Sequence, residues 1–169
     1  MGFALHSFLD IVFDFEPALV YNLPMSNYTF FDHTADIGVE IFGRTKKELF
    51  ANAACALFDI LIQTIDNKSK TSRGTKGRIK IRTVDGADVE DLLINFLREL
   101  LYLFNGTGWV VDHCEIVECS NKRLVAHLWV EPYNKKKHVM KTEIKAVTYH
   151  GLSVERIKNG WKARVIFDV

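Results

Sequence analysis

A short acidic segment has the residue types that bind metal ions in proteins. Asp32, His33 and Asp36 stand together in the run Asp-His-Thr-Ala-Asp, directly before residues that alternate in the manner of a β-strand. Carboxylate and main-chain carbonyl oxygens are the preferred ligands of Ca²⁺ and Mg²⁺, and a loop that enters a strand leaves carbonyls available. The same residues also suit a turn held by Asx-type hydrogen bonds. The segment alone leaves both interpretations open.

A second acidic position lies at the other end of the sequence. Asp168 stands beside Val169 and its α-carboxylate at the end of a hydrophobic strand, residues 165–169. Packing of this strand into a sheet would fix both groups. Three carboxylates gathered in this way repel one another unless a cation or protons neutralise them. The alternative is that Asp168 ends a strand that faces water.

Three further polar features each have two interpretations. We interpret His33 as a local hydrogen-bonding residue in preference to a ligand. Lys145 alternates with Ile144 and Ala146, so it projects from the opposite strand face, where it neutralises the acidic cluster or, as we favour, meets water. The basic run at residues 135–141 is either a solvated loop or a contact for RNA phosphates.

Composition and missing motifs exclude several function classes. The 22 Lys and Arg residues nearly balance the 21 Asp and Glu residues, so no uniform field draws the whole molecule to nucleic acid or a membrane. The sequence contains no phosphate-binding loop, no dinucleotide fingerprint and no H-E-x-x-H zinc motif. Cys55, Cys114 and Cys119 lack paired C-x-x-C spacing, which indicates three reduced cysteines in the core of a cytoplasmic protein.

Two amphipathic helices are predicted to position these residues. Thr45 and Glu48 form a capping box at the start of the first, whose apolar stripe continues to about residue 64. Asp88 caps the second, which stops at Asn105-Gly106.

Period-two alternation predicts strands on either side of the helices. Besides residues 36–43 and a short strand near 79–81, the candidates are 109–119, 122–131, 142–149, 151–157 and 161–168. Helices among hairpin-linked strands predict an α+β domain in which two helices pack on a largely antiparallel sheet system.

The first residues do not share this pattern. Residues 1–24 are largely apolar but contain Asp10 and Asp14 and no Lys or Arg, so neither a spanning helix nor a signal peptide fits. We interpret them as an N-terminal appendage or an over-called start, with Met25 as an alternative start. Residues 25–169 then form the single domain.

Three separated segments together resemble the archease family. They are DHTAD at residues 32–36, EIKAVTYHGL at 143–152 and VIFDV at 165–169. The resemblance covers residues 28–169 in the correct order. It implies a calcium-type site in which Asp36, Asp168 and a main-chain oxygen of Val169 bind the metal. These ligand types agree with the interpretation of the acidic segment as part of a metal site with oxygen ligands.

The same resemblance implies an accessory protein with no reaction of its own. Archeases act with the RtcB-type tRNA-splicing ligase, promoting guanylylation of its active-site histidine and repeated turnover. The protein would then be cytoplasmic, would bind the ligase, and would meet tRNA only through it, with no membrane partner. The alternative is a chaperone or specificity modulator of a tRNA methyltransferase. A metal-dependent hydrolase ranks last, because no general base beside an open metal position is evident.

Overall fold

The predicted α+β class is confirmed by a computed structural model that describes residues 27–33, 35–65 and 78–169, with side chains omitted at Asp32 and His33. These residues form nine strands and two helices. In chain order they are β1 (Tyr28–His33), β2 (Asp36–Gly43), α1 (Lys46–Leu61), β3 (Ile62–Thr64), β4 (Arg78–Asp85), α2 (Val89–Asn105), β5 (Trp109–Cys119), β6 (Arg123–Pro132), β7 (His138–Met140), β8 (Ala146–Ile157) and β9 (Gly160–Asp168).

The first helix begins where the sequence predicts and ends earlier. Glu48 donates its backbone N–H to Thr45 Oγ1 at 3.1 Å, which satisfies one free donor of the first turn, and Glu48 Oε2 accepts from Arg44 N at 2.9 Å, just before the N-cap residue. At Ile62 the backbone turns extended, with φ −142° and ψ 156°. The predicted extension to residue 64 is therefore wrong, because β3 pairs there with β7, a strand that the sequence pattern did not reveal.

The second helix has the predicted bounds and supplies much of the core. Asp88 Oδ1 accepts from the backbone N–H groups of Glu90 and Asp91 at 3.0 and 2.9 Å, and Gly106 follows the last turn. Phe96 of α2 is fully buried, and its ring centroid lies 5.9 Å from that of Phe50 on α1. One hydrophobic cluster joins both helices to the inner faces of two sheets.

The strands pair antiparallel in three sheets with the orders β1-β2-β9-β8, β4-β6-β5 and β3-β7. We call the four-stranded sheet the first sheet and the three-stranded sheet the second sheet. The predicted division at Gly151 is wrong, since β8 is continuous and only its register with β9 shifts, between Thr148 and Ser153. Gly151 has φ 63°, a conformation that glycine adopts without steric cost, so it marks a bulge instead of a turn between strands.

The cysteine prediction is partly wrong. Cys114 is buried, but Cys119 is only partly buried and Cys55 is exposed on α1. Burial raises the pKa of the Cys114 thiol to about 12, so this residue behaves as an apolar core side chain. Among the described residues, no helix is long and apolar enough to cross a membrane.

Deleting residues 1–24 is expected to leave the domain folded. These residues lie outside the described part of the chain, and the hydrophobic cluster of the described residues is already continuous without them. Urea unfolding followed by circular dichroism should stay cooperative, with a midpoint close to that of the full chain. A broad, non-cooperative transition in the shortened protein would show that the first residues belong to the core.

Candidate functional site

The two acidic ends of the patterned sequence meet in the first sheet. β2 and β9 pair antiparallel, and Asp36 lies directly opposite Asp168. The register is set by burial, because Val39 and Val165, a directly opposed pair, are fully buried against the helices, and a slip of one residue would expose them. The Asp36 and Asp168 side chains therefore share the outer face, with Cβ atoms about 5 Å apart in such a pair.

Val169 and Lys145 adjoin this pair of carboxylates. The backbone N–H of Lys145 donates to Asp168 O at 2.8 Å, and Lys145 Nζ donates to the main-chain oxygen of Val169 at 2.8 Å. Lys145 is exposed, as expected for a side chain that meets water, but its ammonium group also lies at the acidic site. It thereby supplies positive charge there, which was the alternative interpretation of the sequence.

The turn that delivers Asp36 is an unusual one. His33 and Asp36 are paired residues of β1 and β2, so only Thr34 and Ala35 connect the two strands. Ala35 has φ 61°, in the left-handed region where a residue with a Cβ pays roughly 1 kcal/mol or more. An alanine does not predict this conformation, because glycine, asparagine and aspartate are the residues that usually mark it.

The donor set fits a hard divalent cation. Two opposed carboxylates repel each other, and a cation between their oxygens would remove that repulsion. In the described ranges, no three His, Cys, Asp or Glu side chains are grouped so as to hold a metal ion. Among the described residues, a main-chain oxygen of the adjacent Val169 would complete a ligand set built on Asp36 and Asp168. The side chains of Asp32 and His33 fall outside the description, so the interpretation of His33 stays a prediction.

Sequence and structure comparisons decide the family. The sequence model of the Archease protein family (MTH1598/TM1083) matches residues 28–169. The chain belongs to the archease family. Its curated relatives include an archease of Methanosarcina barkeri, 37% identical over 146 residues that cover 84% of this chain and 95% of the relative. An archease of Pyrococcus furiosus is 36% identical over 149 residues, covering 86% of this chain and all of the relative.

Two solved structures share the archease fold. The solution structure of protein 1598 of Methanobacterium thermoautotrophicum has a TM-score of 0.64 and 28% identity, and the match covers 86% of this chain and 100% of that one. The crystal structure of an archease from Thermotoga maritima, described as a possible chaperone, has a TM-score of 0.55 and 28% identity over 82% of this chain and 94% of that one. The resemblance first seen in three short segments is therefore confirmed.

The basic run at residues 135–141 is partly used in local contacts. Lys137 Nζ lies 2.6 Å from Glu131 Oε1, and the same oxygen lies 3.1 Å from Nε2 of the buried His138. Burial alone would raise the pKa of Glu131, but hydrogen bonds from Lys137 and His138 lower this pKa below its ordinary value. Lys141 donates to Asp59 O at 2.5 Å. These contacts hold the segment on the domain and favour a structural role for Lys137 and Lys141.

Proposed function

We propose that the protein is a metal-binding accessory factor that activates an RtcB-type tRNA-splicing ligase. In this proposal it promotes guanylylation of the ligase and repeated turnover, acts in the cytoplasm, meets tRNA through the ligase, and performs no reaction of its own. The observation that carries the proposal is the direct opposition of Asp36 and Asp168 beside Val169. Membership of the archease family supports it.

The chain's own residues hold and orient the acidic site. The β2–β9 ladder fixes the two aspartates, and Lys145 holds the end of β9 through two hydrogen bonds to successive residues. A calcium-type ion bound by Asp36, Asp168 and a main-chain oxygen of Val169, in exchange for the contact of that residue with Lys145 Nζ, would supply positive charge for positioning phosphate groups in the ligase. Asp36 and Asp168 are only partly buried, so a partner can reach their side chains.

Multiple-turnover RNA ligation tests this proposal. The assay contains the cognate ligase below the concentration of RNA ends, GTP and Mn²⁺, with and without this protein. We expect several ligation events per ligase molecule with the protein and about one without it. Absence of stimulation at every ratio of protein to ligase would refute the proposed function.

A chaperone role for a tRNA methyltransferase is the second candidate. The structure offers an apolar surface for it, since Ile79 and Ile81 of β4 are 56% and 59% exposed on the outer face of the second sheet. A contiguous exposed apolar patch is typical of interaction surfaces, and these two neighbouring side chains are the candidates for one here. This function predicts less light scattering by the methyltransferase at stoichiometric amounts of protein, unchanged by Asp36→Asn. The protection of the methyltransferase should instead weaken when Ile79 and Ile81 are replaced by serine.

A further inference from the structure

The outer face of the first sheet carries an arginine near the acidic pair. Paired residues share a face, so Asp36, Gly38 and Glu40 on β2 lie beside Asp168, Ile166 and Arg164 on β9, in that order. Arg164 and Asp168 therefore project from the same side of one strand. At 3.3 Å per residue they stand about 13 Å apart along it.

The guanidinium group of Arg164 lies over an aromatic ring. Its central carbon is 4.3 Å from the centroid of the Phe31 ring, within the range of a cation–π contact. Phe31 is opposite Gly38, and a Cβ at Gly38 would overlap the Phe31 ring. The missing side chain at Gly38 thus leaves the space in which Phe31 reaches from β1 across β2 and supports Arg164 on β9.

Arg164 is exposed and has no ion-pair partner among the described residues. The register places it opposite Glu40, but Glu40 Oε1 pairs instead with Lys162 Nζ at 2.8 Å. Stacking on a ring covers a flat face of a guanidinium and leaves its edge N–H donors available. Within the part of the chain that the structure describes, Arg164 contacts Phe31 and pairs with no carboxylate, so its N–H donors can receive a ligand.

The surface between Arg164 and the acidic pair is apolar and partly walled. Ile166 is only 2% exposed although it lies on the outer face, away from the main hydrophobic cluster. The β8 bulge accounts for this burial, since a Cβ at Gly151 would stand 3.0 Å from Ile166 Cδ1. Phe31 on β1 and the bulge on β8 thus cover Gly38 and Ile166, and they form the surface between the arginine and the aspartates.

We propose that Arg164, supported by Phe31, binds a phosphate group that the ligase holds during its reaction. This inference rests on the proposed function and gives it a contact residue outside the acidic site. The planar fork of a guanidinium matches the oxygens of a phosphate in a bidentate way. A phosphate is favoured over a carboxylate of the partner, because nucleotides and RNA ends carry several anionic oxygens that can reach the arginine and a cation at the aspartates together. The phosphate belongs either to GTP or to the RNA.

Two assay arms separate these sources. In one, the ligase and GTP are mixed without RNA, and covalent guanylylated ligase is measured. In the other, ligase guanylylated beforehand is given RNA ends with a 2′,3′-cyclic phosphate, and sealing is measured. Arg164→Gln should reduce the protein's stimulation about tenfold in at least one arm, the loss expected of one charge-assisted contact. Loss in the first arm identifies GTP as the ligand, and loss in the second identifies RNA.

Matched variants keep the test decisive. Arg164→Lys preserves the charge without the planar fork and should recover only part of the activity, and Phe31→Leu should weaken the effect of Arg164 without removing its charge. Arg123→Gln is the control, since Arg123 is an exposed arginine on the second sheet, paired with Asp85 at 3.2 Å, and its loss should leave stimulation unchanged. Thermal melts establish that each variant is folded. If Arg164→Gln itself unfolds, the stimulation by Arg164→Lys relative to wild type decides whether the planar fork is needed.

Other outcomes would overturn the inference. Full stimulation by Arg164→Gln in both arms would show that Arg164 does not contact the phosphate. If saturating amounts of Arg164→Gln restore full stimulation, and calorimetry shows weaker binding of this variant to the ligase, then Arg164 contacts a carboxylate of the ligase instead of a phosphate. If wild type stimulates neither arm, the proposed function fails first, independently of any Arg164 variant.

Discussion

Replacing Asp36 or Asp168 with asparagine is expected to remove most of the stabilisation that calcium gives the folded protein. A ligand bound only by the native state stabilises it by RT ln(1 + [L]/Kd), about 2.7 kcal/mol at one hundred times Kd. Each substitution keeps the size of the side chain and deletes one anionic ligand of the opposed pair. The measurement is the melting temperature after removal of metals with a chelator, compared with the value after addition of excess CaCl₂.

The melting temperature of the calcium-free variants, relative to wild type, distinguishes a metal site from a hydrogen-bond site. Without calcium, Asp36→Asn and Asp168→Asn should melt at or above the wild-type temperature, because a like-charged cross-strand pair is destabilising by a few tenths to about 1 kcal/mol. Asp112→Asn, an exposed aspartate on β5 of the other sheet, should keep the full calcium shift. Equal calcium shifts in wild type and both site variants would rule out a shared site.

Phe96→Ala should lower the unfolding free energy by about 3–5 kcal/mol, because removal of a buried aromatic ring forfeits its burial and leaves a cavity. Phe96 is fully buried against Phe50, at the contact between the two helices. Urea unfolding monitored by circular dichroism measures the change through the transition midpoint, provided that the slope is unchanged. The loss is a large part of the 5–15 kcal/mol that stabilises a typical domain.

Tyr102→Ala is the matched control on the same helix. Tyr102 is 62% exposed, so replacing it should change the unfolding free energy by less than about 0.5 kcal/mol. Similar losses at both positions would mean that α2 is stabilised by something other than the buried stripe along one of its faces.

Local chemistry explains which parts of the fold were predictable. Thr45 and Asp88 begin the helices because capping depends on residues within one turn. β3 and β7 were missed because each has three residues, too few for a period, and each exists through its pairing with the other. The strand at Ile79 and Ile81 was found, but both side chains are exposed while Lys80 and Arg82 are partly buried. Alternation of apolar and polar residues predicts a strand, but it does not show which face of the strand is buried.

The candidate site was predictable in its residue types and unpredictable in its geometry. Asp36 and Asp168 were identified from carboxylates at two ends of the sequence and from the family resemblance. Their direct opposition depends on the register of β2 with β9, which burial of Val39 and Val165 sets only in the folded sheet. The left-handed Ala35 and the arginine supported by Phe31 carry no sequence signal, since each depends on tertiary neighbours.

The position of β9 in the first sheet affects the order in which the molecule can be built during synthesis. Of the described strands, β9 comes latest in the sequence, yet it lies between β2 and β8 and separates them. While the ribosome still holds residues 160–168, the second sheet and both helices can already form, but β2 lacks a neighbour on one side and Asp36 has no opposite residue. Pairing between strands so distant in sequence closes a long loop and is slow. Until β9 pairs with β2, the protein therefore presents a bare strand edge and Asp36 stays apart from Asp168, and the insertion of β9 ends both conditions at once.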